Sequence, residues 1–181
     1  LAASCEKAEA ALSAGRAADA ATLAHDALAR SLSSKKDPSS SCGEKKLLVS
    51  LLFALGAASG CLQEEERAAR CYEMALALVA DDGARRRVIS HNLVVVLASS
   101  GQTEKATFVA EDTAKRCPHD AEAWYEFGCV AAARGDVSGA SRGYRGALRA
   151  NPFHAASYVN LAATTRDARE AKEIAEMAIA K

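Results

Sequence analysis

A chain of 181 residues is long enough for one compact domain or a short repeat array with a continuous core. Its 23 Lys and Arg balance its 23 Asp and Glu, which excludes the basic footprint of a nucleic-acid binder and of a polybasic membrane-surface module. Half of the residues are hydrophobic yet only 5% are aromatic, because 43 are alanine, a composition that favours helix.

Apolar residues recur at helical rather than alternating spacing throughout. From the N-terminus, helices are expected over 2–14 and 17–32. The stretch SSKKDPSSSCG that follows reads as a solvated loop, assigned to 35–43. Helices over 44–59 and 64–80 come next, and Glu64-Glu65-Glu66 at the start of the second suits the positive end of a helix dipole. A connector over 81–86 carries Asp81-Asp82 and leads into Arg85-Arg86-Arg87, a solvated helix start or an acidic-partner contact. Six helices complete the chain, over 86–100, 103–116, 121–134, 137–150, 155–165 and 168–180. Gly135-Asp136 separates one neighbouring pair, and Asn151-Pro152 ends a helix that proline cannot continue. Leu1 is not an initiator methionine and Lys181 closes a periodic segment without a stop signal, so both ends read as cuts.

These helices repeat. An interval of 34 residues joins Pro118 to Pro152, Gly101 to Gly135, and Leu93 to Phe127 to Leu161. It also joins Ser90, Trp124 and Tyr158, and pairs Ala106 with Ala140 and Ala114 with Leu148. Upstream, Ala68, Tyr72, Ala75 and Leu76 precede the Ala106 set by 38 residues, and Ala20, Ala24, Ala27 and Leu28 lie a further 48 before. Downstream, Ala171 and Ala175 follow the Ala140 set by 31, so the last turn is shortened. One such helix pair cannot bury its own apolar face, so neighbours must stack.

The segment from Ala121 to Pro152 closely resembles the tetratricopeptide repeat: Trp124, Gly128, Gly135, Ala140, Tyr144, Ala147 and Pro152 match its preferred types at its spacing. Repeats are assigned to 121–154 and 87–120, with looser helix pairs at 1–34, 44–80 and 155–181. The resemblance implies an all-α, right-handed solenoid of about five antiparallel helix pairs that binds proteins rather than catalyses. Its repeat-packing residues would be Trp124, Phe127, Gly128, Ala140, Tyr144, Ala147 and Pro152. Its first helices would line a groove with Ser50, Phe53, Ala54, Ala57, Val88, His91, Asn92 and Val95, then Glu122, Tyr125, Glu126, Cys129, Ala156, Val159, Asn160 and Ala163. Asn92 and Asn160 fall at equivalent places, where similar proteins can hold a ligand backbone.

The partner implied is a peptide or protein segment. The alternatives are a structural role in a large complex, or a substrate-selecting region of a larger enzyme. Relatives that grip an acidic chaperone tail need lysines, an arginine and asparagines across three first helices. Here Phe53, Ala57, Glu122 and Glu126 stand in those places, so that partner is not expected.

No phosphate loop, nucleophile elbow or dinucleotide fingerprint is present, and no cofactor, metal or catalytic residue is expected. Cys117-Pro118-His119 offers two ligands where a structural zinc needs four. The six cysteines form no CxxC pair, consistent with a reducing intracellular compartment. The longest apolar run, Met74 to Ala80, is too short to span a membrane.

Overall fold

A computed structural model describes residues 1–33, 42–79, 82–165 and 167–179. Among these, ten helices and no strand are found: α1 (Ala2–Ser13), α2 (Ala17–Ser33), α3 (Cys42–Cys61), α4 (Glu65–Leu78) and α5 (Gly83–Ser99). Then follow α6 (Thr103–Arg116), α7 (Ala121–Ala133), α8 (Val137–Ala150), α9 (Ala155–Thr164) and α10 (Ala168–Ile179). The chain forms an all-α solenoid of two compact units, Leu1–Ser100 and Gly101–Lys181. Their boundary falls between α5 and α6, inside the segment assigned to a repeat at 87–120.

Most of the expected 35–43 loop lies outside the described residues, but Cys42 and Gly43 belong to α3 rather than to that loop. The connector is shorter than expected, because α5 begins at Gly83. The reason is local: the Asp82 carboxylate accepts from the Arg85 backbone N–H at 2.9 Å and caps the helix. Asp120 does the same for α7 and Asp136 for α8. All three arginines of the basic run are therefore helical. Arg85 donates to the Lys46 carbonyl and Arg86 to that of Val79.

Hairpin turns share one conformation. Gly15, Gly101 and Gly135 have φ of +72°, +74° and +81°, the left-handed region that glycine enters freely. Around Gly135, Asp136 N–H bonds the Ala131 carbonyl and Gly135 N–H that of Ala132, each at 2.9 Å, which satisfies the last carbonyls of α7. The α3–α4 turn has the same pair of bonds but places Gln63 there, at φ +62°.

In the first unit the core is small-residue packing. Ala8, Ala20, Ala24, Ala58 and Leu51 are fully buried, with Leu55 and Cys71 beside them. In the second unit Phe127, Ala131, Ala140 and Ala147 are fully buried on the facing sides of α7 and α8. A Cβ on Gly128 would stand 2.6 Å from the Tyr144 ring, so that ring occupies the space the missing side chain leaves. Trp124 packs its ring over Gly146 and edge-on to Phe127, with 6.4 Å between ring centroids. Its indole N–H donates to the Pro118 carbonyl at 3.2 Å. One repeat later Tyr158 donates to the Pro152 carbonyl at 3.1 Å. The 34-residue interval thus repeats a side-chain hydrogen bond as well as a residue type.

Candidate functional site

Each unit presents its own first-helix face. In the first unit a cavity of about 420 Å³ opens between α1, α3 and α5. Phe53 and Val88 line its apolar part, with Glu9, Asp82 and Arg85 as its charged groups. Phe53 is half-buried, its ring tilted against Tyr72 with 5.8 Å between centroids. Further along α5, His91 and Val95 are exposed. Ala54 is buried in the core and lines no groove. The Asn92 amide donates to the Val88 carbonyl of its own helix at 2.8 Å.

Sequence reasoning did not place Cys5, Glu9 or Arg85 beside this cavity. Cys5 lies against Glu9, Sγ to Oε1 at 3.4 Å. Burial, then the Glu9 carboxylate, push its thiol up to about 11, while Ser50 and Arg85 act the other way. No signal in the sequence links residue 5 to residue 85; only the stacking of α1, α3 and α5 joins them.

In the second unit α7 and α9 bring together Glu122, Tyr125, Cys129, His154 and Asn160. The Asn160 amide donates to the Tyr125 hydroxyl at 3.1 Å and lies 3.9 Å from the Cys129 sulfur. Tyr144, reaching in from α8, points its hydroxyl at the same sulfur at 3.9 Å. Tyr125 packs between Tyr144 and His154, at centroid distances of 5.9 and 5.0 Å. His154 bridges Ser157 at 2.8 Å and Glu122 at 3.1 Å. The two asparagines expected to be equivalent therefore behave differently: Asn92 closes on its own helix, whereas Asn160 ties α9 to α7.

Burial and the Cys129 contact act on both tyrosines of this cluster in the same direction. The Cys129 contact first, then burial, raise the Tyr125 phenol above its ordinary value, with Asn160 opposing. Burial first, then Cys129, raise Tyr144. Both phenols stay protonated at neutral pH. Beyond this cluster, Val159 on α9 is 66% exposed and Val95 on α5 is 53% exposed.

Among the described residues no three His, Cys, Asp or Glu side chains are placed to hold a metal ion. None of the described helices is long and apolar enough to cross a membrane. Among the described residues, Cys5, Cys61, Cys71 and Cys129 are free thiols.

No protein-family model and no curated protein sequence matches the chain. Solved structures do. YrrB, a TPR protein described as having an unusual peptide-binding site, superposes with a TM-score of 0.67 at 19% identity, over 97% of this chain and 83% of its own. MamA from Desulfovibrio magneticus RS-1 gives 0.65 at 20% identity, over 95% and 87%. BtubC from P. vanneervenii gives 0.67 at 19% identity, over 96% and 73%. The chain has the fold of the tetratricopeptide-repeat proteins.

Proposed function

We propose that this chain is a protein–protein interaction module that takes a segment of a partner protein on its first-helix faces, and that it has no catalytic activity of its own. The observation that carries this reading is that, in each unit taken by itself, apolar side chains stand exposed on the first helices. In the first unit Val88 and Val95 stand out from α5, Val88 sharing a cavity with half-buried Phe53, and in the second unit Val159 stands out from α9. Apolar side chains grouped on one face mark binding surfaces. YrrB, with its peptide-binding site, supports the reading by analogy of fold.

The segment bound is internal or apolar rather than an acidic chain end. Glu122 and the half-buried Glu126 would repel a carboxylate, and the Asn92 amide already has a partner. Screening the whole chain against a random peptide library tests this reading. Val95→Asp should weaken peptides held on the first unit and Val159→Asp those held on the second, each about tenfold or more, without moving the melting temperature. Binding that neither substitution changes would remove the first-helix faces from consideration.

A second reading, a structural subunit of a large assembly, is favoured by a separate observation. Phe108 on α6 is 71% exposed and Phe153, before α9, is 68% exposed. Co-purification of a fixed-stoichiometry complex that Phe108→Ser and Phe153→Ser disrupt would favour it over peptide capture.

A further inference from the structure

The second unit has another recess, built by its second helices. α8, α9 and α10 enclose a groove of about 1050 Å³, more than twice the volume of the cavity in the first unit. Leu148 and the buried Ile174 form part of its apolar floor, and Met177 stands half-exposed at its edge. All of its charged lining groups are arginines: Arg142, Arg145 and Arg149. They lie at i, i+3 and i+7 on α8, one side of a helix over two turns, a row about 10 Å long.

Two of these guanidiniums are held in place. Arg142 reaches Glu111 at 3.2 Å and lies over the Phe127 ring at 5.3 Å. Arg145 binds Glu170 of α10 at 2.6 Å. Arg149 is exposed and has no ion pair among the described residues. This side is thus apolar and basic, whereas the face of α7 carries Glu122 and Glu126. Arg149 is the one arginine of the row that no carboxylate of the described residues pairs.

We propose that the α8–α10 groove is a second docking site, and that its occupant is an acidic amphipathic helix of a partner protein. Its apolar face would lie on Leu148, Ile174 and Met177. A row of carboxylates along one edge, spaced three and four residues apart, would meet the arginines. Such a helix buries apolar area in the groove while the charge row fixes its direction and speeds its encounter. Arg149 offers the first carboxylate of that row an unpaired guanidinium, whereas at Arg142 and Arg145 the partner's carboxylates share the guanidinium with Glu111 and Glu170.

The test uses the whole chain and a fluorescein-labelled synthetic helix bearing leucines on one face and a glutamate row beside them. The control peptide carries lysines in the glutamate positions. Saturable binding of the glutamate peptide is expected, weakening as salt rises, with the lysine peptide at least about tenfold weaker. Arg149→Glu and Met177→Asp should each cost about tenfold or more, while Val159→Asp on the first-helix face leaves the affinity unchanged. Arg149 holds no structural pair, so its substitution should not lower the melting temperature.

Equal binding of the two peptides, no saturable binding of the glutamate peptide, or insensitivity to Arg149→Glu would each overturn the proposal. So would loss of binding in Val159→Asp, which would place the peptide on the other face. A sedimentation profile showing a dimer that Met177→Asp dissolves would assign the groove to a second copy of the chain instead, and the proposal would fall.

Discussion

The α3–α4 and α7–α8 hairpins are built on one pattern, yet they close at different distances. In both, a glycine on the first helix lies under a tyrosine sixteen residues later: Gly56 under Tyr72, Gly128 under Tyr144. A Cβ at Gly56 would be 2.8 Å from its ring, and at Gly128 2.6 Å. The larger difference is on the second helices. A Cβ on Gly143 would stand 2.5 Å from the backbone of Gly128, and one on Gly146 2.5 Å from the Trp124 ring. The positions equivalent to Gly143 and Gly146 in α4 hold Cys71, which is buried, and Met74, which is 56% exposed. Each helical glycine costs roughly 0.5–1 kcal/mol relative to alanine. In α8 that loss accompanies a backbone approach that no side chain would permit. A shared repeat pattern thus fixes which helices pair but leaves their separation to residues outside the pattern.

The sharpest way to break the comparison is Gly143→Leu. Its side chain would meet backbone, which cannot rotate away, so destabilisation of about 3 kcal/mol or more is expected. At roughly 2–4 °C per kcal/mol the melting temperature should fall by roughly 6–12 °C. Cys71→Leu, the matched change in α4, should cost less than half as much. Equal losses would show that the two hairpins close at the same distance.

Gly128→Leu follows, with about 1–3 kcal/mol expected, because the Tyr144 ring can yield by changing its rotamer. An unchanged thermal melt would mean that Gly128 does not face α8.

The hairpins differ again beneath the turn. Ser59 at the end of α3 is fully buried and its hydroxyl has no partner, while the equivalent residue in α7 is Ala131. Ser59→Ala should stabilise the chain by about 1 kcal/mol, since an unsatisfied buried hydroxyl is removed at little loss of volume. Chemical denaturation that shows a loss instead would mean a water or other group satisfies Ser59.

A smaller gain is expected at the turn itself. Gln63 holds the left-handed conformation that Gly135 takes without strain. Gln63→Gly relieves about 1 kcal/mol of strain but adds freedom to the unfolded chain, for a net gain of about 0.5 kcal/mol. Gly135→Gln should lose about 1 kcal/mol. Matched melts of the two variants measure the asymmetry.

The last effect is absent at neutral pH. Burial pushes the Tyr72 phenol from 10.0 up to about 12. A folded-state value above the unfolded one means the contribution is fully present below pH 10 and is lost as pH rises through about 12. Tyr72→Phe should leave stability near pH 7 almost unaltered and flatten its decline between those values. A decline of the same slope in both proteins would assign the alkaline loss to other groups.

By itself the sequence determined the number and type of helices. The reason is local: apolar periodicity, the aspartates that cap α5, α7 and α8, and the glycines at left-handed turns act within a few residues of chain. The repeat resemblance also placed Gly128 and Tyr144 among the packing residues, but that the ring fills the space over Gly128 is seen only in the packed hairpin. Tertiary structure alone decided the rest. Gly143 and Gly146 read as ordinary surface glycines until α8 is laid against α7. Asn92 and Asn160 are indistinguishable in the sequence, but only Asn160 meets a tyrosine hydroxyl, so only it bonds across helices. The arginine row of α8 is legible as a charge pattern. That it borders a groove depends on where α10 lands, which is set by its packing on α9 and by the Arg145–Glu170 pair, neither of which the charge pattern of α8 announces.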